Sequence, residues 1–139
     1  MPWQTGYGNR THSYQWVNAG TTNGDRQTLT TVPTLLTGVQ AFNLSTGVSI
    51  FLHFFDSTAP VSTASGIPAA MKSLPIPSAV SASTVALTAG FMYSPNAPIS
   101  FANGLSFAIS GTLQSSGAYT TVAANLAVIN LDYEPVRDT

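Results

Sequence analysis

The chain has 139 residues, with only four Lys or Arg and five Asp or Glu; this is 6% charged, against roughly 25% in an ordinary soluble domain. Net charge is −1 and cysteine is absent, which excludes disulfides and thiolate metal sites and leaves too few cations to grip a phosphate backbone or a membrane surface. From Ser73 to Leu131 no charged residue occurs, yet Ser, Thr, Gly, Asn and Pro break every run before it could span a bilayer.

In chain order, residues 1–25 differ in character from the remainder of the chain. Trp3, Tyr7, Tyr14 and Trp16 are set among Gly, Asn, Gln and Thr, with Arg10 and His12 between them. Such amphipathic aromatics in a polar background suit an extended N-terminal docking arm. The competing reading is a strand plus loop whose aromatics close the fold. The opening residues show no basic-then-apolar segment, so a secretion signal is not expected. Without one, the glycosylation-type triplets at Asn9 and Asn43 read as chance.

Residues 26–139 are expected to form one domain. Strands are expected near Gln27–Thr31, Leu36–Asn43, Val48–Asp56, Met71–Pro77, Ser83–Thr88 and Phe91–Tyr93, with a long polar loop over 57–68. Over 104–110, Leu105, Phe107 and Ile109 share one face and Ser106, Ala108 and Ser110 the other, the alternation of a half-buried strand. Residues 127–133 repeat it with Ile129, Leu131 and Tyr133. In Val48–Asp56 both faces are bulky, Ile50, Leu52 and Phe54 against Phe51, His53 and Phe55. A strand apolar on both sides must be covered on both, so the second face needs an arm, a loop or a neighbouring subunit. Helix signals are nearly absent, and Gly and Pro punctuate the chain at short spacing. The fold class is therefore all-β, an antiparallel β-sandwich or jelly roll with an extended N-terminal arm.

No constellation for catalysis stands out. Asp132 and Glu134 share a strand face, but at the chain's end, beside Pro135 and near Arg137, a solvated or ion-paired strand terminus accounts for them. His53 lies between Phe51 and Phe55 with no second ligand at metal spacing, as expected of a hydrogen-bonded buried imidazole or a contact residue. No G-x-S-x-G occurs, and neither Gly6-Tyr7-Gly8 nor 20–24 opens a helix that would cradle phosphate. No catalytic, cofactor or metal residues are assigned, and an enzyme is not expected. Sugar binding is the main functional rival, with Trp3, Trp16, Tyr93 and Tyr119 as stacking candidates.

The succession SYQWVNAGTTNG, LLTGVQAFNLSTGVSIFLHFFDSTAP, MKSLPIP, PISFANGLSFAISGT and TTVAANLAVINLDY, covering most of residues 14–133, resembles a group of small virion structural proteins of tailed bacteriophages. Each phrase is a strand or turn without chemistry; their order carries the resemblance. That group usually has Lys or Tyr where this chain has Phe51, His53 and Phe54, which makes this strand more apolar. The resemblance implies a β-sandwich capsid decoration or cement protein, made in the bacterial cytoplasm and seated on the outer capsid surface. The expected partners are the major capsid protein and further copies of the chain as a dimer or trimer, with no nucleic acid and no membrane. A tail, neck or fibre-base component, or a glycan- or receptor-binding module, is the alternative. The expected contact residues are Trp3, Tyr7, Arg10, Tyr14, Trp16, Phe51, His53, Phe55 and Arg137, with 134–139 offering further polar contacts.

Overall fold

Alternating apolar and polar residues build eleven strands in the computed structural model, which describes residues 11–20, 25–46, 49–61, 70–78, 80–81, 86–87, 89–93, 98–111 and 122–136. They are β1 His12–Val17, β2 Asp25–Thr28, β3 Thr34–Asn43, β4 Ile50–Asp56, β5 Lys72–Ile76, β6 Val80–Ser81, β7 Ala86–Leu87, β8 Ala89–Tyr93, β9 Ile99–Phe101, β10 Leu105–Ser110 and β11 Ala127–Pro135. One sheet runs β1-β11-β3-β8, with β9 also on β3; the other runs β2-β10-β4-β5, and β6 and β7 form a separate hairpin. All pairings are antiparallel. Apart from β4 and β5, which form a hairpin within one sheet, the chain passes from one sheet to the other between successive major strands, and the eight strands β1, β2, β3, β4, β5, β8, β10 and β11 take the order of a jelly roll. The expected all-β antiparallel sandwich is the observed fold; residues 1–10 and 21–24 of the expected arm lie outside the described residues.

Between the sheets lie Leu36, Val39 and Ala41 of β3, Ile129 and Leu131 of β11, Ile50, Leu52 and Phe54 of β4, Leu74 and Ile76 of β5, Phe101 of β9, and Leu105, Phe107 and Ile109 of β10, all buried in one cluster. Each fully buried side chain of this size contributes about 1.5–3 kcal/mol, so this cluster is the main driving force. Along β3 the inward residues are Thr34 and Leu36, then Val39, Ala41 and Asn43. The change of parity has a local cause. Tyr133 pairs with Leu36 but Asp132 with Gly38, so Thr37 is an extra bulged residue and both halves of β3 keep their apolar side inward. The Thr37 hydroxyl donates to the Asp132 carbonyl at 3.0 Å, and Gly38 lies beneath the Asp132 carboxylate, where a Cβ would come within 3.3 Å of Oδ2.

Several boundaries differ from the sequence expectation. His12–Val17, expected within the arm, is an edge strand of the sandwich, because Tyr14 and Trp16 turn inward onto the core while Ser13, Gln15 and Val17 turn out. Asp25, placed in the same arm, opens β2. β6 and β9 are too short for alternation to reveal. Of the strand expected over Ser83–Thr88, Ala86–Leu87 is β7; residues 83–85 and 88 lie outside the described residues, as do 62–68 of the expected polar loop.

The two ends of the sandwich are tied by polar side chains, buried at one end and partly exposed at the other. At one end Asn18, 1% exposed, shares its amide N–H donors among Asp25 Oδ2 (3.1 Å), Val122 O (3.1 Å) and Ala123 O (2.8 Å). Its Oδ1 accepts from the backbone of Leu126 (3.0 Å) and Ala127 (2.9 Å). Asp25, 3% exposed, accepts the amides of Ala19 and Gly20. Gly20 has φ +76°, and a Cβ there would lie 2.7 Å from the Ala124 nitrogen, so only glycine fits. At the other end Asp56 accepts from the backbone nitrogens of Asn103 (2.8 Å) and Gly104 (3.2 Å) and from the Asn103 side chain.

Two expectations arise for the Asn18 end. Asn18→Asp keeps the acceptor toward Leu126 and Ala127 but aims a second oxygen at Asp25 and two carbonyls. It should therefore lower unfolding free energy in urea by more than Asn18→Ala, itself expected to cost about 2–4 kcal/mol. Gly20→Ala should cost about 1–2 kcal/mol from the left-handed backbone alone, with the Ala124 collision added. If Asn18→Asp unfolds at the wild-type midpoint, the node does not hold this end together.

Candidate functional site

Three places gather the residues the sequence singled out. The first is the outer face of the β2-β10-β4-β5 sheet. Phe51, His53 and Phe55 point there, as expected from their alternation with the core residues Leu52 and Phe54. His53 is fully buried and Phe55 5% exposed, while Phe51 is half-buried. The His53 imidazole sits between two hydroxyls, Nδ1 at 2.8 Å from Ser73 Oγ and Nε2 at 2.9 Å from Ser110 Oγ. These partners come from β5 and β10, which pair with β4 on either side, so a hydrogen-bonded imidazole spans three strands.

The chain covers much of this face itself. Val61 and Ala70 pack on Phe55 and Ala108. The Ser106 hydroxyl donates to the carbonyls of Ser57 (2.8 Å) and Ala59 (3.3 Å), and Arg26 donates to the Val61 carbonyl (2.9 Å). Of the three covers considered for the second apolar face, an intramolecular loop is the one observed. His53 and Phe55 are interior residues of this subunit and are not exposed for contact with a partner.

The second place is β1. Trp16 meets Phe107 edge-on across the two sheets, ring centroids 5.1 Å apart at 86°, and Tyr14 packs on the same core. Both are half-buried at the open side of the sandwich. His12 stacks on Tyr133 at 5.4 Å. Trp3, Tyr7, Arg10 and Arg137 lie outside the described residues, as does Tyr119; Tyr93 falls in β8, whose backbone alone is described.

The third place is the carboxylate pair. Asp132 accepts from Ser13 Oγ at 2.7 Å and Glu134 from Thr11 Oγ1 at 2.9 Å, both on the exposed outer face of the β1–β11 ladder. Among the described residues no three His, Cys, Asp or Glu gather where they could hold a metal, and no buried side-chain nitrogen or oxygen lacks a hydrogen-bond partner. Asn43, in one of the glycosylation-type triplets, is buried with its amide on the Ile76 carbonyl (3.2 Å).

The node that sequence reasoning did not single out is Asn18 with Asp25. Its signal was present: NAG at 18–20 and VAAN at 122–125 are two phrases of the phage resemblance, and they meet in space around one amide.

These features define an antiparallel jelly roll with an apolar interior. No protein-family model matches the chain, and no curated protein matches it in sequence. Among solved structures it is similar to the virus-like particle of extra small virus from the giant freshwater prawn Macrobrachium rosenbergii, with TM-score 0.37 and 14% identity over 94% of this chain and 82% of that one. It is also similar to the Gx strain of infectious bursal disease virus, with TM-score 0.23 and 13% identity over 92% of this chain and 37% of that one. At these scores neither likeness extends to a shared role.

Two measurements test the polar sites. His53→Ala removes both hydrogen bonds and leaves a cavity at a fully buried position, and should cost about 2–4 kcal/mol in denaturant unfolding. Asp56 has its pKa held below the ordinary aspartate value, chiefly by the Asn103 amide. A lowered folded-state pKa means its contribution is present above the ordinary value and is lost as pH falls through the lowered one. The gap in Tm between wild type and Asp56→Asn should therefore hold steady from neutral pH to about pH 4 and close below it; a gap independent of pH would remove Asp56 from the account.

Proposed function

We propose that the chain is a non-enzymatic virion structural protein, most specifically a capsid decoration or cement subunit that binds the major capsid protein on the outer surface of a phage shell. The observation that carries this reading is the jelly-roll strand order closed around a solid apolar core. Shell-forming and sugar-binding proteins share this architecture, and the step from fold to role is one of analogy. Two further features favour the shell. The described ionisable groups are engaged in building: Asp25 and Asp56 tie the ends, His53 spans three strands, and Asp132 and Glu134 accept hydroxyls from β1 and its flank. The ordered motifs of residues 14–133 also resemble those of small phage virion proteins.

The mechanism is mass action. A subunit that binds only the assembled lattice lowers the free energy of the lattice relative to its dissociated parts, and the shell gains resistance to heat and internal pressure without a chemical step.

The decisive experiment is cryo-electron microscopy of particles carrying the chain. Many symmetry-related copies on the shell support the reading; a few copies at the tail would replace it with a tail or fibre-base role. The binding chemistry gives a second test. Contacts through the uncharged stretch 73–131 rest on apolar burial and neutral hydrogen bonds, so attachment should survive 1 M NaCl, where the Debye length is about 3 Å. It should fail in guanidinium. Release of the subunit by salt alone would show that ion pairs dominate the interface.

A further inference from the structure

We infer that the β1 edge is a self-pairing surface, on which a second copy of this chain adds its own β1 antiparallel about a two-fold axis at Gln15. The inference stands on the sheet edge alone and holds whether or not the shell reading does.

Among the described residues β1 is the outermost strand of its sheet. Its hydrogen-bond phase is set by one contact: Asn18 N donates to Ala127 O at 3.2 Å, in register with the β1–β11 ladder. Antiparallel pairs alternate between hydrogen-bonded and non-hydrogen-bonded, so His12, Tyr14 and Trp16 aim their backbone groups at β11. Ser13, Gln15 and Val17 aim theirs at the open edge. The Ser13–Asp132 side-chain contact agrees, since it falls at a close, non-hydrogen-bonded pair.

Open edges are templates for strand addition unless blunted by charge, proline or shortness. The other edges among the described strands are charged, interrupted by proline, short, as is three-residue β9, or covered by a neighbouring strand. β5 contains Lys72 and Pro75, β2 has four residues including Asp25 and Arg26, and β8 runs beside β5 along the far side of the sandwich. β1, with six residues and neither Lys, Arg, Asp, Glu, Pro nor Gly, has none.

The sequence of β1 also complements itself. Keeping the inner face continuous across a two-fold requires residues of like parity to oppose each other. With Gln15 on the axis, Ser13 faces the partner's Val17 through outward backbone groups. Tyr14 then faces the partner's Trp16 at a close pair on the inner side, twice over. Aromatic cross-strand pairs of this kind favour pairing, and each half-buried ring would cover the other's exposed edge. The contact is isologous and closes at two copies.

The test uses the full chain. Wild type should show a concentration-dependent dimer in analytical ultracentrifugation. Gln15→Pro removes an outward N–H, a place where an edge strand tolerates proline, and should abolish the dimer while leaving the β circular-dichroism spectrum intact. Since the chain has no cysteine, Gln15→Cys introduces its only thiol. On the axis the two Cα atoms would be about 5.5 Å apart, within disulfide reach, so mild oxidation should yield a covalent dimer; Ser13→Cys, opposite Val17, should not. A wild-type monomer throughout the series, a folded dimer in Gln15→Pro, or equal cross-linking by both cysteine variants would overturn the proposal. If Gln15→Pro fails to fold, the cysteine pair decides.

Discussion

The Asn18 carboxamide is the constraint on which one end of the sandwich depends. It is the one described side chain that joins the end of β1, the start of β2 through Asp25, and the segment leading into β11. Burying a carboxylate such as Asp25 costs several kcal/mol unless it is hydrogen-bonded. Here Asn18 and the Ala19 and Gly20 amides supply the donors. A hydrogen bond to a charged group contributes about 1.5–3 kcal/mol and a neutral one about 0.5–1.5, so the node is favourable only when its members are all in place. That requirement explains the left-handed Gly20, which brings the turn close enough to Ala124 for Asn18 to reach both segments.

The apolar cluster supplies most of the free energy, but it does not choose between strand orders. Leu, Ile and Phe from six strands could fill a sandwich in several arrangements, and hydrophobic burial is not directional. The carboxylates are directional. In the register of β10, Asp56 stands opposite Leu105 and Asp25 opposite Ile109, so they lie at opposite ends of the same strand. Asp56 fixes the approach of the 103–104 turn, where a Cβ on Gly104 would strike the Thr30 and Ser57 carbonyls at 2.6 and 2.9 Å. Asn18 and Asp25 fix the other end. A chain with few charges has placed two of them where they specify connectivity.

Much of the fold was legible because period-two alternation survives wherever one face is buried. Leu105, Phe107 and Ile109, and Ile129, Leu131 and Tyr133, declared their strands in this way. β3 was legible as a strand but its bulge was not, since Leu35 and Leu36 offer either parity and only pairing with β11 selects one. β1 also alternates, with Tyr14 and Trp16 against Ser13, Gln15 and Val17, yet its surroundings of Gly, Asn and Thr suggested an arm. The outer row of β4 correctly announced a second cover, but sequence could not say that residues 57–61 and Ala70 provide it. The Asn18 node was hidden because its two halves are separated by 104 residues, and turn phrases carry no periodicity.

The two sheets consequently present unlike exteriors. The outer face over β4 and β10 is largely covered by the chain's own loop, through Arg26, Ser106 and the Phe55 contact, with Phe51 left half-buried. The outer face over β1, β11 and β3 carries three cross-strand rows: Val17 with Val128 and Phe42, Gln15 with Asn130 and Gln40, and Ser13 with Asp132 and Gly38. These rows grade from apolar through amide to carboxylate across one surface, with Val17, Gln15 and Asp132 exposed. Amide rows both donate and accept without the desolvation cost of ions. A partner approaching this face would meet an apolar end to bury and an amide row to satisfy. A partner approaching the opposite face would first have to displace a hydrogen-bonded loop. Among the described residues, the two faces therefore differ in what an approaching molecule meets first: exposed side chains on one and the chain's own loop on the other.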